Sequence, residues 1–357
     1  MKKTLLLFFG VAAALVACNK QPLPAPLPQE EGTLELTIHT LSEDGTKALT
    51  AYTTEQTYEK QVNSVQLFIF GSDGKINVYK NLGTSLSASS ISTSIGSKTV
   101  YAVVNGPDLS SVSTLSALQA KAVDLSANST TASSGFLMAG KNTVTISAGS
   151  SATCNITVSR LAARVALAEV TNKLPASYGA LTIKSVFLSN VVGNQNIAGT
   201  ASPSTWYNKE GRKDESPLVQ THIIDGSTYT ASCPTLTFKS LSQAISNGGT
   251  YTPATPHLFY CYGNTSTTAP NGFSASFSAQ RTVLVVAATV ASEGSKVYYY
   301  PVVLNKNSLK ANSAYTVYLT ISSLGSTDPN DPVDKEGLTA TITTATWTGS
   351  DIYDDNI

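Results

Sequence analysis

Val65-Gln66-Leu67-Phe68-Ile69-Phe70-Gly71-Ser72-Asp73-Gly74-Lys75-Ile76-Asn77-Val78 is the stretch that decides the fold. Val65, Leu67 and Ile69 share one parity while Gln66 and Phe68 hold the other, which is the two-residue period of a half-buried strand. Asp73-Gly74 then supplies the positive φ of a tight turn, so Ile76 and Val78 return as the second arm of a hairpin. The same period recurs on both sides. Leu34, Leu36 and Ile38 alternate with Thr33, Glu35, Thr37 and His39, and Val100-Tyr101-Ala102-Val103-Val104 reads as a buried strand ended by Asn105-Gly106-Pro107. Further strands are expected at Thr143–Ile146, Cys154–Val158, Arg164–Leu167, Leu181–Leu188, Val283–Val290, Val297–Val303 and Tyr315–Ile321. Only two short helices are expected, at Leu115–Val123 and Ser240–Ile245. Polar loops rich in Gly, Ser, Asn and Pro separate them, notably Gly193–Ser216 and Asn264–Asn271.

Composition agrees. The 357 residues carry 23 basic and 23 acidic side chains, and only 13% are charged. A nucleic-acid binder would show a basic excess to neutralise phosphates. A disordered chain would not reach a hydrophobic fraction of 41%. Many short strands on this length predict an all-β protein of two β-sandwiches, divided near residues 155–165.

The N-terminus reads as an export signal. Lys2 and Lys3 precede an apolar run from Leu5 to Ala17 that is too short to span a bilayer, which takes about 20 residues. Leu15-Val16-Ala17-Cys18 is similar to a bacterial lipobox, whose cysteine thiol receives the lipid. Gln21–Pro28, with proline at alternate positions, reads as an extended tether.

Chemistry is harder to find. Residues 1–17 being the signal, Cys154, Cys233 and Cys261 remain beside the lipid-bearing Cys18. Cys154 lies in an alternating segment as a small hydrophobe, and a Cys233–Cys261 bridge is possible but not deducible. His39, His222 and His257 sit in no nucleophile or metal setting, and no catalytic or cofactor motif appears, so neither an enzyme nor a cofactor is expected. Asp328-Pro329-Asn330-Asp331-Pro332-Val333-Asp334 lacks the glycine of a calcium loop and reads as a solvated turn. Tyr298-Tyr299-Tyr300 and Phe259-Tyr260-Cys261-Tyr262 could stack on sugars, or could be strand tyrosines shared between core and surface.

Taken in order, several segments resemble the fimbrillins, the major pilus subunits of a group of Gram-negative gut and oral anaerobes. They are the lipobox at Cys18, the strand Thr33–Thr40 followed by Asp44-Gly45-Thr46-Lys47-Ala48, and the hairpin at Val65. Tyr101-Ala102-Val103-Val104-Asn105 and the basic-flanked Val158-Ser159-Arg160-Leu161-Ala162-Ala163-Arg164-Val165-Ala166-Leu167 follow. Asn312, Tyr315–Ile321, Asp328-Pro329 and Trp347 complete the series.

The resemblance implies two transthyretin-like β-sandwiches with Greek-key-like connections, exported as a lipoprotein. It implies a lipidated leader over residues 18–47, an N-terminal sandwich over 48–159 and a C-terminal sandwich over 160–357. A trypsin-like maturation protease would cut between Lys47 and Ala48, where the family usually has arginine, with Lys60 as an alternative. Cleavage would remove the strand bearing Leu34, Leu36 and Ile38, and subunits would polymerise by strand exchange. The donor would be Leu338–Trp347, which presents Leu338, Ala340 and Ile342 in one parity and then Ala345 and Trp347 in the other, as a bulge near Thr343–Thr344 would produce. The expected partners are copies of the same chain, anchor and tip subunits, the protease and the outer membrane through the lipid on Cys18. The competing expectations are an anchor subunit that keeps its lipid, or a monomeric adhesin or glycan-binding lipoprotein.

Overall fold

A computed structural model describes residues 30–40, 55–131, 133–208, 234–270, 279–304, 308–329, 331–333, 337–347 and 353–356. The first part of the chain forms β1 (Glu31–Thr40), β2 (Val65–Phe70), β3 (Ile76–Gly83), β4 (Ser87–Ser94), β5 (Gly96–Val104), β6 (Ala122–Asp124), β7 (Met138–Ile146) and β8 (Ser151–Arg160). Next come β9 (Ala162–Asn172), β10 (Leu181–Ser189), β11 (Val191–Val192), β12 (Asn194–Asn196), β13 (Trp206–Tyr207), β14 (Phe238–Ile245) and β15 (Thr250–Tyr251). The last are β16 (His257–Tyr262), β17 (Val283–Val290), β18 (Val297–Val303), β19 (Ser313–Ile321), β20 (Leu338–Thr346) and β21 (Tyr353–Asn356). Among the described residues helices are few, the main one being α1 (Leu115–Ala120), which Thr114 caps by accepting from Ala117 N at 3.2 Å. The protein is all-β.

The first seven-stranded sheet runs β3-β2-β5-β7-β8-β1-β4 and folds over on itself between β7 and β8, which share only the pairs Met138–Arg160 and Ala139–Ser159. That corner depends on Gly140, where a Cβ would lie 2.1 Å from Thr157 O. Val65, Leu67, Ile69, Val100, Ala102 and Val104 from one half face Leu34, Leu36, Ile38, Cys154, Ile156 and Val158 from the other, closing one core.

The hairpin at β2 forms as expected, with Gly74 at φ +74° and Asp73 Oδ1 accepting from Lys75 N. Its strand is not half-buried, however. All six residues of β2 are buried, because Phe68 and Phe70 turn their parity into a second core with Leu109, Leu118, Val123 and Leu125. Gln66 survives there by donating to Pro107 O at 2.7 Å and accepting from Leu109 N at 2.9 Å.

That second core continues into the rest of the chain. β9 pairs with β15 and β16 on one side and in parallel with β19 on the other, and β20 and β21 extend this sheet. A four-stranded sheet, β14-β10-β17-β18, packs Val186, Leu188, Leu284 and Val286 into the same core. The helix expected at Ser240–Ile245 is instead part of β14, paired antiparallel with β10. Leu241 and Ile245 have helical spacing, but a partner strand beside them decides the outcome.

Candidate functional site

β1 begins the described chain yet lies inside a sheet. It pairs in parallel with β8, from Thr33–Ser151 to Thr40–Val158, and antiparallel with β4, from Glu31–Ser94 to Thr37–Ser87. Leu34 is 0% exposed and Leu36 and Ile38 are 3% exposed, so one whole parity is core. His39 lies on the exposed parity. Gly32 is required by closeness, since a Cβ there would meet Ser147 O at 2.4 Å. On the solvent side Glu35 accepts from Ser90 N at 3.0 Å, across the irregularity where Ser90 takes φ +52°.

At the other end of the chain β20 is also an interior strand, between β19 and β21. Its register with β19 is continuous from Ser313–Thr346 to Ile321–Leu338. The bulge expected near Thr343–Thr344 is therefore absent. Ile342 and Ala340 enter the core, and Trp347 reaches it from the turn after the strand, where its N–H donates to Asn312 O at 2.9 Å. Leu338, at the beginning, is only half-buried and borders an apolar groove of about 280 Å³ with Val283, Pro301 and Val303.

Between these strands lies a cluster that the residue patterns did not disclose. Glu55, Glu59, Arg160 and Arg164 are all buried, Glu59 completely, and together they are neutral. Arg160 pairs with Glu55, and Arg164 Nη1 meets Glu59 Oε2 at 2.9 Å. Arg160 Nε also donates to Glu59 O at 3.0 Å. Glu59 is a short 3₁₀ turn's last residue, and its carboxylate accepts from Tyr260 Oη at 2.6 Å, Gln56 N at 2.8 Å and Trp347 Nε1 at 3.3 Å. The Trp347 ring stacks on Tyr260 with centroids 5.6 Å apart and holds the Arg160 guanidinium 4.8 Å from its centre. Burial draws Arg160 below its ordinary pKa while Glu55 and Glu59 oppose it, and burial with the Glu59 charge pushes Tyr260 far above the usual tyrosine range. The available signal was spacing: two Glu four apart and two Arg four apart.

Other candidates are quickly placed. Tyr298, Tyr299, Tyr300, Phe259, Tyr260 and Tyr262 are all buried, so neither aromatic run offers a sugar platform. Cys154 and Cys261 are buried free thiols. His257 shares a hydrogen bond with Tyr251 at 2.8 Å. Among the described residues no group of three His, Cys, Asp or Glu could hold a metal, and no helix is long and apolar enough to cross a membrane. Cys18, Lys47, Ala48, His222 and Cys233 lie outside the described residues.

Residues 33–202 match the family model described as the major fimbrial subunit protein (FimA). Over this span, just under half of the chain, the sequence is similar to the fimbrillins. The match opens on β1 and runs past Arg160 and Arg164, so it takes in both that strand and the basic half of the buried cluster. Solved structures share the fold over nearly the whole length. A Bacteroides eggerthii protein assigned to cell adhesion has a TM-score of 0.64 at 20% identity, covering 90% of this chain and 97% of its own. The fimbrilin of Porphyromonas gingivalis has a TM-score of 0.58 at 15% identity, covering 89% and 98%. The tip fimbrial protein Mfa3 of the same organism has a TM-score of 0.52 at 11% identity, covering 89% and 100%. No curated protein matches.

Proposed function

We propose that this protein is a fimbrillin, a stalk subunit of a cell-surface fimbria supporting adhesion, exported as a lipoprotein through Cys18, cut between Lys47 and Ala48, and polymerised by strand exchange. One observation carries the reading: β1, the first strand among the described residues, is an interior strand. Its loss leaves β8 and β4 with facing rows of unpaired N–H and C=O groups, above a trough that had held Leu34, Leu36 and Ile38. Each such side chain stabilises the fold by about 1.5–3 kcal/mol when buried. An edge of that kind is a template for an added strand of matching parity.

Leu338, Ala340 and Ile342 repeat the spacing of Leu34, Leu36 and Ile38. A donor register with Leu338 at the Leu34 place brings Glu336 to the place of Gly32, where there is no room for a Cβ. The donor therefore engages from Leu338 onward, or the turn at Ser147–Ser150 opens. Because β20 is paired on both sides in the free subunit, donation requires it to leave its own sheet. The leader takes Lys2, Lys3, Lys20, Lys47, Glu30, Glu31, Glu35, Glu43 and Asp44 with it, so the mature body stays close to neutral and like subunits repel little.

The test is trypsin treatment of the full chain, with mass spectrometry of the new N-terminus and a native ladder gel. Cleavage after Lys47 followed by a ladder is expected. Cleavage that yields stable monomers contradicts strand exchange, and cutting at Lys60 contradicts the assigned processing site.

A further inference from the structure

We propose that Glu55, Glu59, Arg160 and Arg164 form a latch on the C-terminal strand, with Trp347 as its bolt, and that this latch holds the free subunit in a storage form. The purpose of the latch rests on the strand-exchange reading; its existence as a local lock does not.

β20 is held unequally along its length. Its beginning borders the apolar groove beside Leu338, where packing is incomplete. Its end is clamped. Trp347 is 1% exposed, donates from Nε1 to Glu59 Oε2, stacks on Tyr260 and covers Arg160. Phe136 packs against the same ring at 5.4 Å, next to Tyr260. The strand cannot leave without taking Trp347 out of this cage.

Withdrawing Trp347 strips the cover from a buried ion-pair cluster and removes one of the donors on the Glu59 carboxylate. A buried charge that loses a partner is far costlier than an exposed one. The cage is built by five separate parts of the chain: the segment Glu55–Glu59, Phe136, the β8–β9 junction, β16 and the turn after β20. Glu55 is the first described residue beyond Lys47 and Glu59 follows four residues on, so the latch is anchored on the segment that would become the new N-terminal region. The state of that segment is thereby coupled to the grip on the donor strand.

Glu59→Gln keeps the shape of the side chain but turns one acceptor oxygen into an NH₂ facing Arg164, Trp347 or Tyr260, all of them donors. Trp347→Phe keeps a ring and removes the N–H. Hydrogen exchange of the uncleaved chain reads the latch directly. Both variants are expected to speed exchange in peptides covering 338–347 at least tenfold, while peptides covering 31–40 stay within twofold of wild type. Val286→Ala, a core truncation outside the cluster, provides the comparison at equal loss of melting temperature and should not single out 338–347. Unchanged exchange at 338–347 in both variants, or an equal rise at 31–40, overturns the latch. Trypsin-matured samples then separate the two claims: faster ladder growth in Glu59→Gln supports both, whereas altered exchange with no ladder in any sample keeps the local lock and rejects strand exchange.

Discussion

Glu59 and Trp347 lie 288 residues apart in the chain, and the indole N–H of one meets the carboxylate of the other at 3.3 Å inside the core. Both residues are buried, so the contact is worth what a hydrogen bond to a charged group is worth, about 1.5–3 kcal/mol. Trp347→Phe should therefore destabilise the uncleaved chain by about 2 kcal/mol, and Trp347→Ala by about 3–5 kcal/mol through the cavity it leaves. Urea midpoints check this. An unchanged midpoint in Trp347→Ala would show that the ring is not part of the core.

Glu55 and Arg160 make the second ion pair of the same cluster, both almost wholly buried. Removing one partner, as in Glu55→Ala, leaves the other charge uncompensated and should cost about 3–5 kcal/mol. Glu55→Ala with Arg160→Met should cost less than the sum of the single changes, with a coupling above about 0.5 kcal/mol. A strictly additive double-mutant cycle would mean that the pair is not coupled in solution.

This cluster was the least legible part of the chain. Arg160 and Arg164 stood out as flanks of an apolar strand and Trp347 as an apolar residue of the expected donor strand, but no local period links them to Glu55 and Glu59. Only the β8–β9 junction, β16 and β20 bring them together. β1 was legible for the opposite reason: Leu34, Leu36 and Ile38 fill one face and Glu35, Thr37 and His39 keep the other wet. β2 was half legible, because Phe68 and Phe70 show an apolar parity but not that a second core would cover it. Ser240–Ile245 misled because Leu241 and Ile245 suit either period, and β10 settles the matter from outside the segment.

Leu36 reports on whether the leader strand remains part of the fold. Leu36→Ala should cost the uncleaved chain about 2–5 kcal/mol. After removal of residues 1–47 the two proteins are identical, so their unfolding midpoints should coincide. A difference that persists would show that the leader strand stays bound after cleavage.

Burial raises the thiols of Cys154 and Cys261 and the hydroxyls of Tyr260 and Tyr300. Each keeps its proton in the folded chain at a pH where the unfolded chain has released it. The folded state then binds more protons, so stability falls as pH rises above about 8.5 and falls further above about 10. His257 is shifted the other way, chiefly by burial and also by Lys239. The unfolded chain gains that proton first, so stability declines as pH drops below about 6.5. Urea midpoints across pH 5 to pH 10 should thus peak near neutrality, and Cys261→Ala should soften the alkaline limb. A midpoint that climbs above pH 9 would contradict the assignment.

Strand exchange itself is best tested by trapping the donor in its groove. Thr339 and Thr153 are both exposed, on β20 and β8, and Thr339 pairs with Thr320 in the free subunit. In the register that puts Leu338 at the Leu34 place, Thr339 takes the position of Glu35, whose neighbour on β8 is Thr153. A chain carrying Thr153→Cys, Thr339→Cys and Cys233→Ser should, after trypsin cleavage at Lys47 and mild oxidation, form covalent ladders linked between subunits by those two cysteines. Uncleaved chain should give none. Cleaved chain that stays monomeric under oxidation, or that forms equal ladders without cleavage, would contradict the exchange of the leader strand for a neighbour's C-terminal strand.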